Sequence, residues 1–147
     1  MADSQSLRLV FASATLHSRF TEYVAECLHS RGFSAISPST LDFLSALDCG
    51  INYGAEIARR LQVSRQMVSK TVKELCQVGY LEQREGVGKQ KQILFTEQGE
   101  RLMSMARLVL ADLDQVFIER FSEAQVGEII SQLEALTSLL TTDKELG

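Results

Sequence analysis

The 147 residues carry a net charge of −4, with 45% hydrophobic and 23% charged residues, the balance of an ordinary globular chain long enough to bury a sizeable core as one domain. A single proline and no tryptophan favour long helices, whose interiors exclude proline. Cys27, Cys49 and Cys76 are odd in number and lack CxxC spacing, which argues against a disulfide framework and for a reducing, cytoplasmic setting; no apolar run approaches the roughly 20 residues that span a bilayer.

The first helix is expected over Ser6 to Ser30, with Leu7, Val10, Phe11, Ala14, Phe20, Val24 and Leu28 as its apolar positions. Its opening run, "LRLVFASATL", follows Asp3 and contains Arg8, and it leads into helical periodicity rather than a signal-peptide cleavage site. Gly32 suits a left-handed C-cap. "SPSTLDFLSAL" opens a second helix, capped by Ser37 or Ser39, with Pro38 in its first turn and Leu41, Leu44 and Leu47 facing inward.

"CGINYG" is a turn-rich connection to a short helix, Ala55 to Leu61, that buries Ile57 and Leu61. Gln62-Val63 makes a tight turn, and Ser64 caps the next helix, which begins "RQMVSKTVKEL". After Gly79 the pattern changes to two strand-like runs, Tyr80 to Arg84 and Lys91 to Phe95. Gly86 and Gly88 supply the backbone freedom of the hairpin loop between them. Thr96 caps a long helix running to about Arg120, with Leu102, Met105, Leu108, Val109, Leu113, Val116 and Phe117 as its stripe. A last helix from Glu123 to Leu140 places Val126, Ile129, Ile130, Leu133, Leu136 and Leu140 on one side. The fold class is therefore mostly α with a small β-hairpin: a helix–turn–helix followed by a wing.

Charge is spread unevenly along this chain. From Arg59 to Lys91 eight basic residues meet three acidic ones, a net +5, whereas the remainder nets −9. Such asymmetry marks a local polyanion-binding surface on an acidic body. On a helical wheel centred on Gln66, residues Ser69, Lys70 and Lys73 fall within about 60°, while Val68, Val72 and Leu75 lie opposite. One face packs inward; the other carries only groups that bond base edges or neutralise phosphates. A solvated amphipathic helix is the plain alternative, but a merely soluble face mixes both signs. Basic charge also continues onto the hairpin at Arg84, Lys89 and Lys91. Double-stranded DNA is the expected partner.

The segment "EIARRLQVSRQMVSKTVKELCQVGYLEQRE" and the later "ILFTEQGE" resemble the helix–turn–helix, wing and wing-to-helix junction of the multiple-antibiotic-resistance regulator (MarR) family of bacterial transcription factors. The resemblance spans nearly the whole chain. It implies a winged helix–turn–helix lobe over 36–97 and dimerisation helices over 1–35 and 98–147. It also implies a homodimer on a pseudo-palindromic operator, its half-sites about 34 Å apart, acting as a repressor. Carried over residue by residue, Ser64, Arg65, Gln66, Ser69, Lys70 and Lys73 are the major-groove and phosphate contacts, with Gln66 as base reader, and Arg84, Lys89 and Lys91 belong to the wing. The family's wing usually holds an Asp-x-Arg; here those positions are Val87 and Lys89, which points to backbone contact at the wing tip.

The resemblance also implies release from DNA by a small molecule or an oxidant. His17, Arg19, Phe20 and Tyr23 on the first helix are the candidates to line an effector cleft. Val126, Ile129, Ile130, Leu133 and Leu136, with Leu7, Val10 and Phe11, are the candidate two-fold interface. Free cysteines are usually buried small hydrophobes, and two histidines twelve positions apart make no metal site, so no cofactor is expected. There is no nucleophile–base motif, P-loop or dinucleotide fingerprint, so an enzyme is not expected. The competing reading is a winged helix used as a protein-interaction module without DNA binding.

Overall fold

A computed structural model describes residues 4–141. The elements run α1 (Gln5–Ser30), α2 (Pro38–Asp48), α3 (Gly54–Leu61), α4 (Arg65–Val78), β1 (Leu81–Glu85), β2 (Lys91–Phe95), α5 (Glu97–Phe121) and α6 (Glu123–Thr141). The chain divides into two compact units, with the boundary between Arg107 and Leu108, part-way along α5.

In the first unit each helix starts where the sequence offers an oxygen to its orphan amides. Ser4 caps α1, and Ser37 forms a reciprocal capping box with Thr40 at the start of α2, where Pro38 takes the first helical position. Ser64 caps α4 by accepting from the Met67 N–H at 3.0 Å. Gln62 takes a left-handed conformation (φ 55°) to make the turn between α3 and α4, and Gly79 (φ 103°) ends α4 in the same region.

The core collects Val24, Leu28, Leu41, Phe43, Leu44, Leu47, Ile57, Val68, Val72, Leu75, Tyr80, Leu81, Ile93 and Leu102, all buried. Leu61 remains half-buried. Of the apolar positions expected on α1, only Val24 and Leu28 are buried; Val10 and Phe11 are exposed.

Tyr80 sits just before β1 rather than inside it, with a fully buried ring. Its hydroxyl donates to the Ser34 carbonyl at 2.8 Å, fastening the α1–α2 loop to the end of α4. Its own carbonyl accepts from the Thr96 N–H at 3.0 Å. The Thr96 hydroxyl donates to the Gly79 carbonyl and accepts from the Gly99 N–H at 3.1 Å, so Thr96 caps α5 as expected.

β1 and β2 pair antiparallel from Leu81↔Phe95 to Glu85↔Lys91. The segment before α3 joins the far side of β2: the Ile93 N–H donates to the Asn52 carbonyl at 2.8 Å, and Tyr53 bridges to Gln92. At the loop, Gly88 has φ 65°, as a tight turn requires. Gly86 serves differently from the expected turn glycine. A Cβ there would lie 2.7 Å from the Tyr53 ring, so its lack of a side chain admits Tyr53 against the wing.

The inward face of α5 also differs from the expected stripe. Leu102, Met103, Ala106 and Val109 are buried, whereas Leu108 and Val116 are exposed. The N-terminal turn of α5 docks through Gly99 on Tyr80, and that close approach sets the helix rotation. Arg107 ties this part of α5 to the end of α2, reaching Asp48 at 3.1 Å.

In the second unit, no residue of α6 is buried. Ile129, Ile130, Leu133, Leu136 and Leu140 are all exposed. No helix among the described residues is long and apolar enough to cross a membrane.

Candidate nucleic-acid interface

The face of α4 follows from its packing. Val68, Val72 and Leu75 are buried, which turns Arg65, Gln66, Ser69, Lys70 and Lys73 outward, all exposed. Ser64 is committed as the N-cap acceptor, but its hydroxyl proton is still free to donate to an incoming phosphate.

Beside α4 the hairpin forms the second wall of a groove of about 770 Å³. Arg65, Ser69, Lys73 and Gln77 line it from α4, Lys89, Gln90 and Lys91 from the wing, and Gly54 and Ala55 from the start of α3. Four cationic side chains and no carboxylate border this space. None of the four is in an ion pair among the described residues. Unneutralised cations facing each other across a concave surface focus a positive potential where an anion can enter.

The candidate contacts therefore fall into three groups. Arg65, Ser69 and Lys73 with Lys89 and Lys91 share the groove, while Gln66 and Lys70 stand on the outer face of α4. Arg84 is elsewhere. It pairs across the ladder with Gln92 on the face opposite Gln83 and Ile93, and Glu82 holds its guanidinium at 2.8 Å. There it borders a recess of about 350 Å³ with Asp48, Glu82 and Glu100. A residue-type reading assigns Arg84 to the wing but cannot assign its face until strand register is known.

Two participants are absent from the sequence reading. Met67 lies in the first turn of α4 beside Gln66, off the buried stripe and 55% exposed. Its signal was an apolar residue out of phase with Val68, Val72 and Leu75. Tyr53 anchors the wing against Gly86 and β2, and nothing in a local pattern marks that long-range role.

Cys76 also lines the groove. Burial, and secondarily the nearby Glu82 carboxylate, push its thiol pKa up, so it is held as the poorly nucleophilic thiol. Cys27 is half-buried and Cys49 exposed. No cluster of three or more metal-ligating side chains occurs among the described residues.

On α1, His17 faces Asp42 of α2 at 3.3 Å and Arg19 faces Glu22 at 3.3 Å. Phe20 is half-buried and Tyr23 exposed.

No known family profile matches the sequence, and no curated protein does. Solved structures do. A MarR transcriptional regulator from Methanosarcina mazei superposes with a TM-score of 0.77 at 15% identity, over 95% of this chain and 92% of that one. The fold is that of the MarR regulators. A second MarR family transcription regulator gives 0.78 at 20% identity, over 97% and 95% of the two chains. Staphylococcus aureus MarR, in complex with salicylate and kanamycin, gives 0.73 at 17% identity, over 94% and 95%. In this MarR-type frame α3 and α4 are the helix–turn–helix and β1–β2 the wing, as the sequence motifs implied.

Proposed function

We propose that this protein is a sequence-specific, DNA-binding transcriptional regulator with no catalytic role of its own. It binds a pseudo-palindromic operator as a homodimer, acts as a repressor, and is modulated by a small molecule or an oxidant. One observation carries the reading: an acid-free set of exposed Arg, Lys, Gln and Ser side chains on α4, continued by Lys89 and Lys91 across a shared groove. The α4 N-terminus enters the major groove with Gln66 presented to base edges, and Lys70 and Lys73 meet phosphates.

The exposed apolar residues of α1 and of α6 are the surfaces we assign to the partner copy. The chain then splits functionally into a reading lobe, 36–97, and dimerisation helices on either side. A similar S. aureus protein is solved with salicylate and kanamycin, which supports a small-molecule effector here. The α1 surface bearing His17, Arg19, Phe20 and Tyr23 is where binding should be sought first. Cytoplasmic placement follows from this role.

The test is selection of bound fragments from a randomised duplex library at two salt concentrations. An enriched inverted repeat whose binding weakens with salt supports the reading. No enrichment from a folded dimer would replace it with a protein-interaction module.

A further inference from the structure

The groove between α4 and the wing has a composition that selects one kind of occupant. Its charged groups come from both walls, Arg65 and Lys73 on one side and Lys89 and Lys91 on the other. The wing's contribution to the groove is lysine only. Lysine is a point charge with rotatable donors and no planar fork, suited to a phosphate and poorly suited to selecting one base edge. The hairpin's one arginine, Arg84, is turned to the opposite face and held by Glu82 at 2.8 Å. The loop tip itself offers Val87, 79% exposed, which has no hydrogen-bonding side chain.

We infer that the wing is a sequence-neutral phosphate clamp: one sugar–phosphate strand lies in the helix–wing groove, held between Arg65 and Lys73 and the wing lysines 89 and 91, while base reading is confined to α4. This rests on the DNA-binding reading above. The wing is built to hold such a position. Tyr53 packs at Gly86, the Ile93 N–H bonds the Asn52 carbonyl, and the Gly86 N–H donates to the Gln90 carbonyl at 3.1 Å, closing the loop that carries Lys89. A fixed wall keeps its two ammonium groups facing α4 without ordering a mobile arm at each binding event.

The clamp predicts a particular pattern of specificity. Base preference should stop at the positions covered by α4, and the flanking positions beneath the wing should tolerate any base pair. Affinity should still depend on the flanking phosphates.

The experiment uses the full chain and the duplex enriched from the randomised library, with the flanks re-randomised around a fixed core. Binding is then measured against salt for the wild type, for Lys89→Ala with Lys91→Ala, and for Lys89→Arg with Lys91→Arg. The expected result is no base preference in the flanks. The alanine pair should bind more weakly to every flank alike and lower the salt slope by about two, at about 0.9 per lost phosphate contact; the arginine pair should restore the slope. A flank preference in the wild type that the alanine pair abolishes would overturn the clamp and leave α4 reading intact. An unchanged slope in the alanine pair would also overturn it. Failure to bind any duplex at low salt, with the protein folded, would overturn the underlying DNA-binding reading together with the clamp.

Discussion

At Gly99 a methyl group would sit 2.1 Å from the carbonyl oxygen of Tyr80. That oxygen is on rigid backbone, since it already accepts from the Thr96 N–H. No flexible side chain can move aside, so Gly99→Ala has to push α5 away from β1. The expected loss is about 1–3 kcal/mol, the usual cost of overpacking, read as a lower urea midpoint at unchanged m-value. Stability within 0.5 kcal/mol of wild type (roughly the noise of surface substitutions) would mean the junction yields more than its geometry implies. Gln66 poses the complementary case, since it is exposed and touches nothing structural. Gln66→Ala should leave stability alone but cost about 1–3 kcal/mol on the selected site, with little change on random duplex. Equal losses on both would remove it as the base reader.

Helix α4 shows how much an element's sequence can disclose. Ser64 as cap, the buried Val68, Val72 and Leu75, and the outward basic face all follow from residue type and a period of 3.6. The strands and their loop were legible for the same reason, from alternation and two glycines. The long helices were legible as helices but not in rotation. Nearly every turn of α5 carries an apolar residue, so several stripes fit the sequence, and only the docking of Gly99 on Tyr80 selects Leu102, Met103 and Ala106. The face of Arg84 was hidden likewise, because strand register is a non-local choice and a one-residue slip exchanges the faces. Within α4, Lys70 and Lys73 occupy different surfaces, Lys73 in the groove and Lys70 outside it. Replacing both by alanine should weaken binding to all duplexes and flatten the salt dependence by nearly one unit per lost phosphate contact. A titration in which the slope is retained would place neither ammonium at the backbone.

Across the whole molecule, exposed apolar residues concentrate at particular places. Val10 and Phe11 on α1 are 59% and 63% exposed, and α6 buries nothing while carrying Ile129, Ile130, Leu133 and Leu136 outward. Single exposed leucines are ordinary, but a succession of them along a 19-residue helix is the surface of a protein awaiting a partner. A second copy is the simplest partner, because a closed two-fold pairing covers the same patch on both chains. Sedimentation equilibrium of the wild type should therefore give a dimer. Ile130→Glu with Leu136→Glu places four carboxylates in that two-fold interface, each costing several kcal/mol if buried unpaired. The dimer should weaken by about a thousandfold or more, while far-UV circular dichroism stays helical. The same variant should lose its advantage for an inverted repeat over a single half-site, since each reading head would bind alone. A variant that remains dimeric would move the interface off α6, and the exposed face of α1 would become the next surface to charge.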